Sequence, residues 1–183
     1  MKFAFLGLAG LLLCGCGDSL PTHGVVPDFE LTDQSGRVFK SKERLDGKVW
    51  VADFVFTTCS GPCPRMTSQL RKLRQDVGDS PDLRTVSFTI DPARDTPEAL
   101  ATYSRQFGAD PEKWFFLTGA QKNLHHLSKD VFMLSDIDGS LEHSSRFVLV
   151  DRHSRIRGFY DTSDAESMQK LATDLRNLLK SSA

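Results

Sequence analysis

Between residues 48 and 56 the chain reads Lys-Val-Trp-Val-Ala-Asp-Phe-Val-Phe, an apolar run with almost no alternation. That pattern predicts a largely buried strand. Residues 83–90, rich in Val, Thr and Phe, predict a second strand. Between them Met66, Leu70, Leu73 and Val77 recur at helical spacing and predict a helix over 64–77, with 57–63 as the loop that feeds it. Asp95-Thr96-Pro97-Glu98 predicts the start of another helix, with Asp95 as its cap and Glu98 closing a capping box, running to about residue 107. A short strand is expected over 114–117 and a short helix over 121–129. Residues 145–150 and 156–160 form a hairpin across Arg152-His153-Ser154, and 164–179 is a terminal amphipathic helix. Upstream, Pro27-Asp28-Phe29-Glu30-Leu31 opens a small hairpin that turns at Gln34-Ser35-Gly36 and returns through Phe39.

Strand–helix–strand units followed by a hairpin and a last helix predict an α/β fold with a mixed central sheet flanked by helices. The thioredoxin-like fold has this order. It places reactive cysteines where the first strand-to-helix turn meets its helix. At 183 residues, 39% hydrophobic and 26% charged, the chain suits one domain plus a targeting segment. A net charge of −1, with no basic run and no aromatic-basic interleaving, gives no support for a nucleic-acid partner.

The first residues read as targeting. Lys2 precedes an apolar run over 3–13, which is too short to span a bilayer as a mature helix and fits the core of a signal peptide. Leu13-Cys14-Gly15-Cys16 resembles a bacterial lipobox with Cys16 as the lipid-bearing residue. Residues 1–15 are then a lipoprotein signal peptide, 16–26 a polar tether and 27–183 the domain. This places the domain in a bacterial cell envelope, on the extracytoplasmic side of a membrane that holds its lipid.

With Cys14 removed and Cys16 acylated, the remaining thiols are Cys59 and Cys63, in Phe56-Thr57-Thr58-Cys59-Ser60-Gly61-Pro62-Cys63-Pro64. In an exported domain such a pair forms a disulfide, binds a metal, or alternates between the two. A helix N-terminus favours thiolate over thiol, and Pro64 suits a first helical turn. Soft thiolates favour Cu(I), and one imidazole would complete a three-coordinate shell that also tolerates Cu(II). Five histidines compete for that place. His23 lies in the tether, His125 and His126 on a helix, His153 in a turn, and His143 just before an apolar strand. Position alone leaves His143 open between ligand and bystander.

Four stretches together resemble the Sco/SenC family of membrane-anchored, thioredoxin-like copper-binding proteins. They are the Cys59–Cys63 loop with Pro64, the segment Asp91-Pro92-Ala93-Arg94-Asp95-Thr96-Pro97, Trp114-Phe115-Phe116-Leu117-Thr118-Gly119, and His143-Ser144-Ser145. The resemblance implies copper, Cu(I) or Cu(II), one per domain, held by Cys59, Cys63 and His143. It implies a metallochaperone that takes copper from a donor protein and delivers it to the binuclear copper centre of a cytochrome c oxidase subunit. The other reading is a thiol-disulfide oxidoreductase that uses Cys59 and Cys63 on exported or oxidase cysteines. A peroxidase is disfavoured, because Phe56 stands where a Thr-x-x-Cys arrangement needs threonine. Asp91 and Asp95 read as structural. Relatives often carry proline after the first cysteine and an acid inside the loop. Here Ser60-Gly61-Pro62 has neither, which alters thiol chemistry near the sulfurs.

The lipobox carries a direct expectation. Mass spectrometry of the protein extracted from native membranes should find Cys16 as an acylated N-terminus. Cleavage elsewhere, with Cys16 unmodified, would reject it.

Overall fold

The computed structural model describes residues 20–78, 80–134 and 144–181. Eight strands form one sheet, in the order β1-β8-β7-β4-β5-β6-β2-β3. They are β1 (Gly24–Val25), β2 (Glu30–Asp33), β3 (Val38–Lys40), β4 (Val49–Val55), β5 (Leu83–Thr89), β6 (Trp114–Thr118), β7 (Arg146–Val150) and β8 (Arg155–Asp161). β4, β5 and β6 run parallel, while β7 lies antiparallel to β4, so the sheet is mixed as expected. The helices are α1 (Ser41–Arg44), α2 (Pro62–Val77), α3 (Pro97–Gln106), α4 (Gln121–His126) and α5 (Ala165–Lys180). α4 continues directly into a π-helical turn over Leu127–Val131.

Every residue of β4 is buried. Successive side chains alternate between faces. Trp50, Ala52 and Phe54 enter one core with Phe88, Phe115 and Phe132, while Val49 and Val51 enter the other under α2 and α5, with Leu70 and Leu175. The strand lacked alternation in sequence because both of its faces are covered. On β8, a Cβ added to Gly158 would meet the Tyr160 hydroxyl at 2.6 Å, so only glycine lets that ring lie across the strand. The hydroxyl donates to Asp174 on α5 at 2.7 Å and ties the last helix to the sheet.

Two local expectations change. α2 begins at Pro62 rather than at residue 64, so Cys63 lies inside the first helical turn. Pro62 suits that position as well as Pro64 does, since neither needs an amide hydrogen there. α3 is capped by Thr96, whose side chain accepts from the Ala99 amide, and not by Asp95, which turns inward.

Residues 20–26, part of the expected tether, lie along the domain. Gly24 and Val25 pair with β8, the His23 amide donates to the Ile156 carbonyl, and the Val26 amide to the Ser154 carbonyl. Arg157, only 2% exposed, donates to the carbonyls of Leu20 and Pro21 and to Asp151. Burial pushes the Asp151 carboxyl up, but hydrogen bonds from Arg157 and Arg155 outweigh it and hold the group below its ordinary range. Arg157→Met should cost about 2–3 kcal/mol in denaturant unfolding, because Asp151 loses its buried partner while Arg155 remains. Limited proteolysis should then cut near Leu20 faster than in wild type. Unchanged stability and cleavage would contradict this role.

Candidate metal and redox site

β4 ends at Val55, and the chain passes through Phe56 and Thr57 to the cysteines. Asp95, fully buried, fixes this exit. It accepts hydrogen bonds from the Thr57 amide at 3.2 Å, from the Thr57 hydroxyl at 2.6 Å and from the Thr89 hydroxyl at the end of β5. Asp91 is salt-bridged to Arg94 at 2.8 Å, and its carbonyl accepts from the Asp95 amide. Both acids therefore shape the backbone, as read from the sequence.

Cys59 is partly exposed and Cys63 is buried; both are free thiols. Cys59 is among the groups that act on the Cys63 thiol, so the two side chains are neighbours. The helix N-terminus does not make Cys63 acidic. Burial pushes its thiol far up, and the hydrogen bond to Cys59 adds to the rise. Desolvation outweighs the helix dipole here. One turn on, the Thr67 hydroxyl donates to the Cys63 carbonyl at 2.9 Å and lies 2.9 Å from the Tyr103 hydroxyl. Burial likewise pushes the Tyr103 phenol up.

His143 lies outside the described residues, as do Cys14 and Cys16. The register next to it is informative. Trp50, Val51 and Ala52 face Val150, Leu149 and Val148. β7 runs antiparallel to β4, so its start at Arg146 lies toward the end of β4 that feeds the cysteines. Ser145 is held there by the Thr162 amide, which donates to its carbonyl at 3.0 Å. His126 is exposed and bonded to Asp130 at 2.8 Å, His153 is an exposed turn residue, and His23 meets the Phe159 ring edge-on. Among the described residues, no group of three or more His, Cys, Asp or Glu side chains is arranged to hold a metal.

The profile of the SCO1/SenC family matches residues 17–180. The chain belongs to this family. The Bacillus subtilis SCO1 protein homolog is 29% identical over 180 residues, covering 93% of each chain. A Stutzerimonas stutzeri relative named "Putative copper-binding protein" is 34% identical over 166 residues, covering 85% of this chain and 75% of its own. The crystal structure of a SCO1/SenC family lipoprotein from Bacillus anthracis is 31% identical, with a TM-score of 0.77 over 86% of this chain and 96% of that one. A structure of BsSco, described as revealing a disulfide switch in a member of the Sco family of cytochrome c oxidase assembly proteins, is 26% identical with a TM-score of 0.76, covering 89% of this chain and 98% of that one. The thioredoxin-like fold of the family is thus the fold of this chain. Among the described residues, no helix is long and apolar enough to cross a membrane.

One group at the site escaped the sequence reading. Asp53 stands in the middle of β4, is 0% exposed, and neither carboxylate oxygen has a hydrogen bond within ordinary range. Burial pushes its pKa up to about 7, opposed only weakly by Ser87 across the sheet. The signal was available, since a lone carboxylate interrupts an otherwise apolar strand.

A carboxyl whose folded pKa is raised is more stable in the fold when protonated. Between an unfolded pKa of about 3.9 and a folded value of about 7, Asp53 therefore makes stability fall as pH rises, with a limiting slope of about 1.4 kcal/mol per pH unit. The stability curves of wild type and Asp53→Asn should separate over this window, the variant gaining on the order of a few kcal/mol relative to wild type by pH 8. Parallel curves across that range would contradict the assignment.

Proposed function

We propose that the domain binds one copper ion through Cys59, Cys63 and His143 and passes it to the binuclear copper centre of a cytochrome c oxidase subunit. The observation that carries this reading is the pair of neighbouring free thiols just after β4, with β7 starting toward the same end of the sheet. Two soft sulfurs and an imidazole suit Cu(I) and also tolerate Cu(II). The Stutzerimonas relative named for copper binding and the oxidase-assembly role stated for BsSco support the same cargo and recipient. Copper is the cargo here, received from a donor protein and released by ligand exchange. Cys16 is the lipid anchor, in keeping with the lipoprotein from Bacillus anthracis, and it holds the domain on the extracytoplasmic side of a bacterial envelope membrane.

Thiol-disulfide exchange is the second reading. A specific observation favours keeping it: the two cysteines are neighbouring free thiols, and BsSco is described as having a disulfide switch.

Copper titration of the reduced protein separates the two. Wild type should bind one copper per domain, with a Cu(II)–thiolate charge-transfer band. His143→Ala should lose that band and bind copper at least tenfold more weakly, yet keep its fold and its ability to cycle the disulfide. Wild-type copper binding in His143→Ala would show the ligand set to be wrong. A wild type that binds no copper but readily reduces protein disulfides would favour the oxidoreductase.

A further inference from the structure

α2 and α5 pack side by side on one face of the sheet, and a groove of about 420 Å³ runs between them. Leu73, Met168 and Ala172 give it an apolar lining that is continuous with the core below. Two polar side chains of the same groove are left incomplete. Gln69 donates from Nε2 to the Thr162 carbonyl at 2.8 Å, but among the described residues nothing donates to its Oε1. The Thr162 hydroxyl, on a residue only 2% exposed, likewise has no partner there. Two neighbouring buried oxygens without hydrogen bonds cost stability, and copper exchange at the cysteines uses neither. Together they match extended backbone. A peptide N–H can donate to Gln69 Oε1, and a peptide carbonyl can accept from the Thr162 hydroxyl. Neither oxygen gives up a bond in turning toward such a segment.

The rim of the groove is cationic toward the cysteines. Arg65 is exposed near the start of α2. Among the described residues it is paired with no carboxylate, and it acts on Asp161 only through space. Lys72, further along, is already held by Asp76 at 2.9 Å. A carboxylate on a ligand would therefore be met by Arg65. Gln69 lies one helical turn beyond Arg65 and six residues beyond Cys63. That is about 9 Å along the helix, which an extended chain covers in about three residues. A segment seated on Gln69 thus reaches the start of α2, where Cys63 lies. At the far end of the groove, Arg176 of α5 donates to the Asp76 carbonyl at 3.1 Å and joins the two helices.

We propose that the α2–α5 groove docks an extended segment of the protein that receives copper from Cys59, Cys63 and His143. The segment places an apolar side chain over Met168 and Ala172, pairs its backbone with Gln69 and Thr162, and sets a carboxylate against Arg65. The inference rests on the proposed copper delivery and names the surface that holds the recipient while its acceptor site faces the cysteines. A lipid chain would satisfy the apolar lining and leave both oxygens unpaired. A second copy meeting this one groove to groove would set like charges against each other.

The test uses the full chain, lipid-anchored in nanodiscs, with the purified oxidase subunit, copper-free and reduced, as the probe. Arg65→Gln and Ala172→Glu should each raise the dissociation constant for the probe about tenfold and slow copper transfer by a similar factor at low probe concentration. Arg65→Gln is an exposed change that keeps the fold, so the test stands even if Ala172→Glu does not fold. Arg71→Gln removes the same charge from α2 on the side near Gly108, outside the groove, and should change neither quantity. Copper affinity of the domain itself should be unaltered in Ala172→Glu. Benzoylphenylalanine in place of Met168 should photo-cross-link to the probe, through a peptide that carries an acidic residue. Wild-type binding and transfer in both groove variants would overturn the proposal and leave copper delivery standing. Equal weakening by Arg71→Gln and Arg65→Gln would overturn it by showing a diffuse attraction. Cross-linking only to lipid or to a second copy of this chain would overturn it as well. A wild type that binds copper but never transfers it to the probe would overturn the delivery reading and the proposal with it.

Discussion

β4 is buried along its whole length, and the placement of the functional groups follows from that constraint. A strand covered on both faces has to be paired on both edges, because its amide and carbonyl groups have no water to turn to. β5 and β7 supply those partners, one parallel and one antiparallel. The parallel partner requires a crossover, and the crossover is α2, which begins at the cysteines. The antiparallel partner brings the chain after His143 back to the same end of the sheet. The start of α2 at the cysteines and the start of β7 at the same end are thus consequences of how one strand satisfies its backbone.

At that end two effects on sulfur oppose each other. The first turn of α2 offers a field that favours negative charge, while the packing around Cys63 removes the water that would solvate it. The packing wins. A metal changes the balance, since a soft cation supplies at contact distance the charge compensation that solvent cannot. The site is therefore better matched to a thiolate that is bonded to something than to a free one. Asp95 contributes by tying Thr57, two residues before Cys59, to Thr89 at the end of β5.

The strand and helix order, the mixed sheet and the cysteine loop were legible in the chain, because each is written in local periodicity or spacing. The run over 48–56 could be read because nothing in it alternates. The bounds of α2 were less legible, since Pro62 and Pro64 satisfy the same rule. Asp95 looked like a helix cap because its local sequence fits one. Its actual partners, Thr57 and Thr89, are distant or on another strand, and tertiary hydrogen bonds leave no local trace. The hold of Arg157 on the N-terminal segment was invisible for the same reason, two of its acceptors being 136 and 137 residues away along the chain. Asp53 is a different matter: an acid inside an apolar strand is visible, and only its unpartnered state required coordinates.

The clamp of Arg157 on Leu20 and Pro21 bears on how far the domain can travel. A disordered leash over 16–26 would let it sweep a hemisphere of several nanometres above the lipid. With the chain fastened to the sheet from Leu20 on, a lipid on Cys16 leaves four residue steps, which span at most about 14 Å. Under the proposed lipidation and copper delivery, the cargo would be confined to a layer next to the bilayer. Encounter with a recipient then becomes a search in two dimensions, with lateral diffusion bringing the partners together and the recipient's acceptor site having to present itself close to the membrane surface.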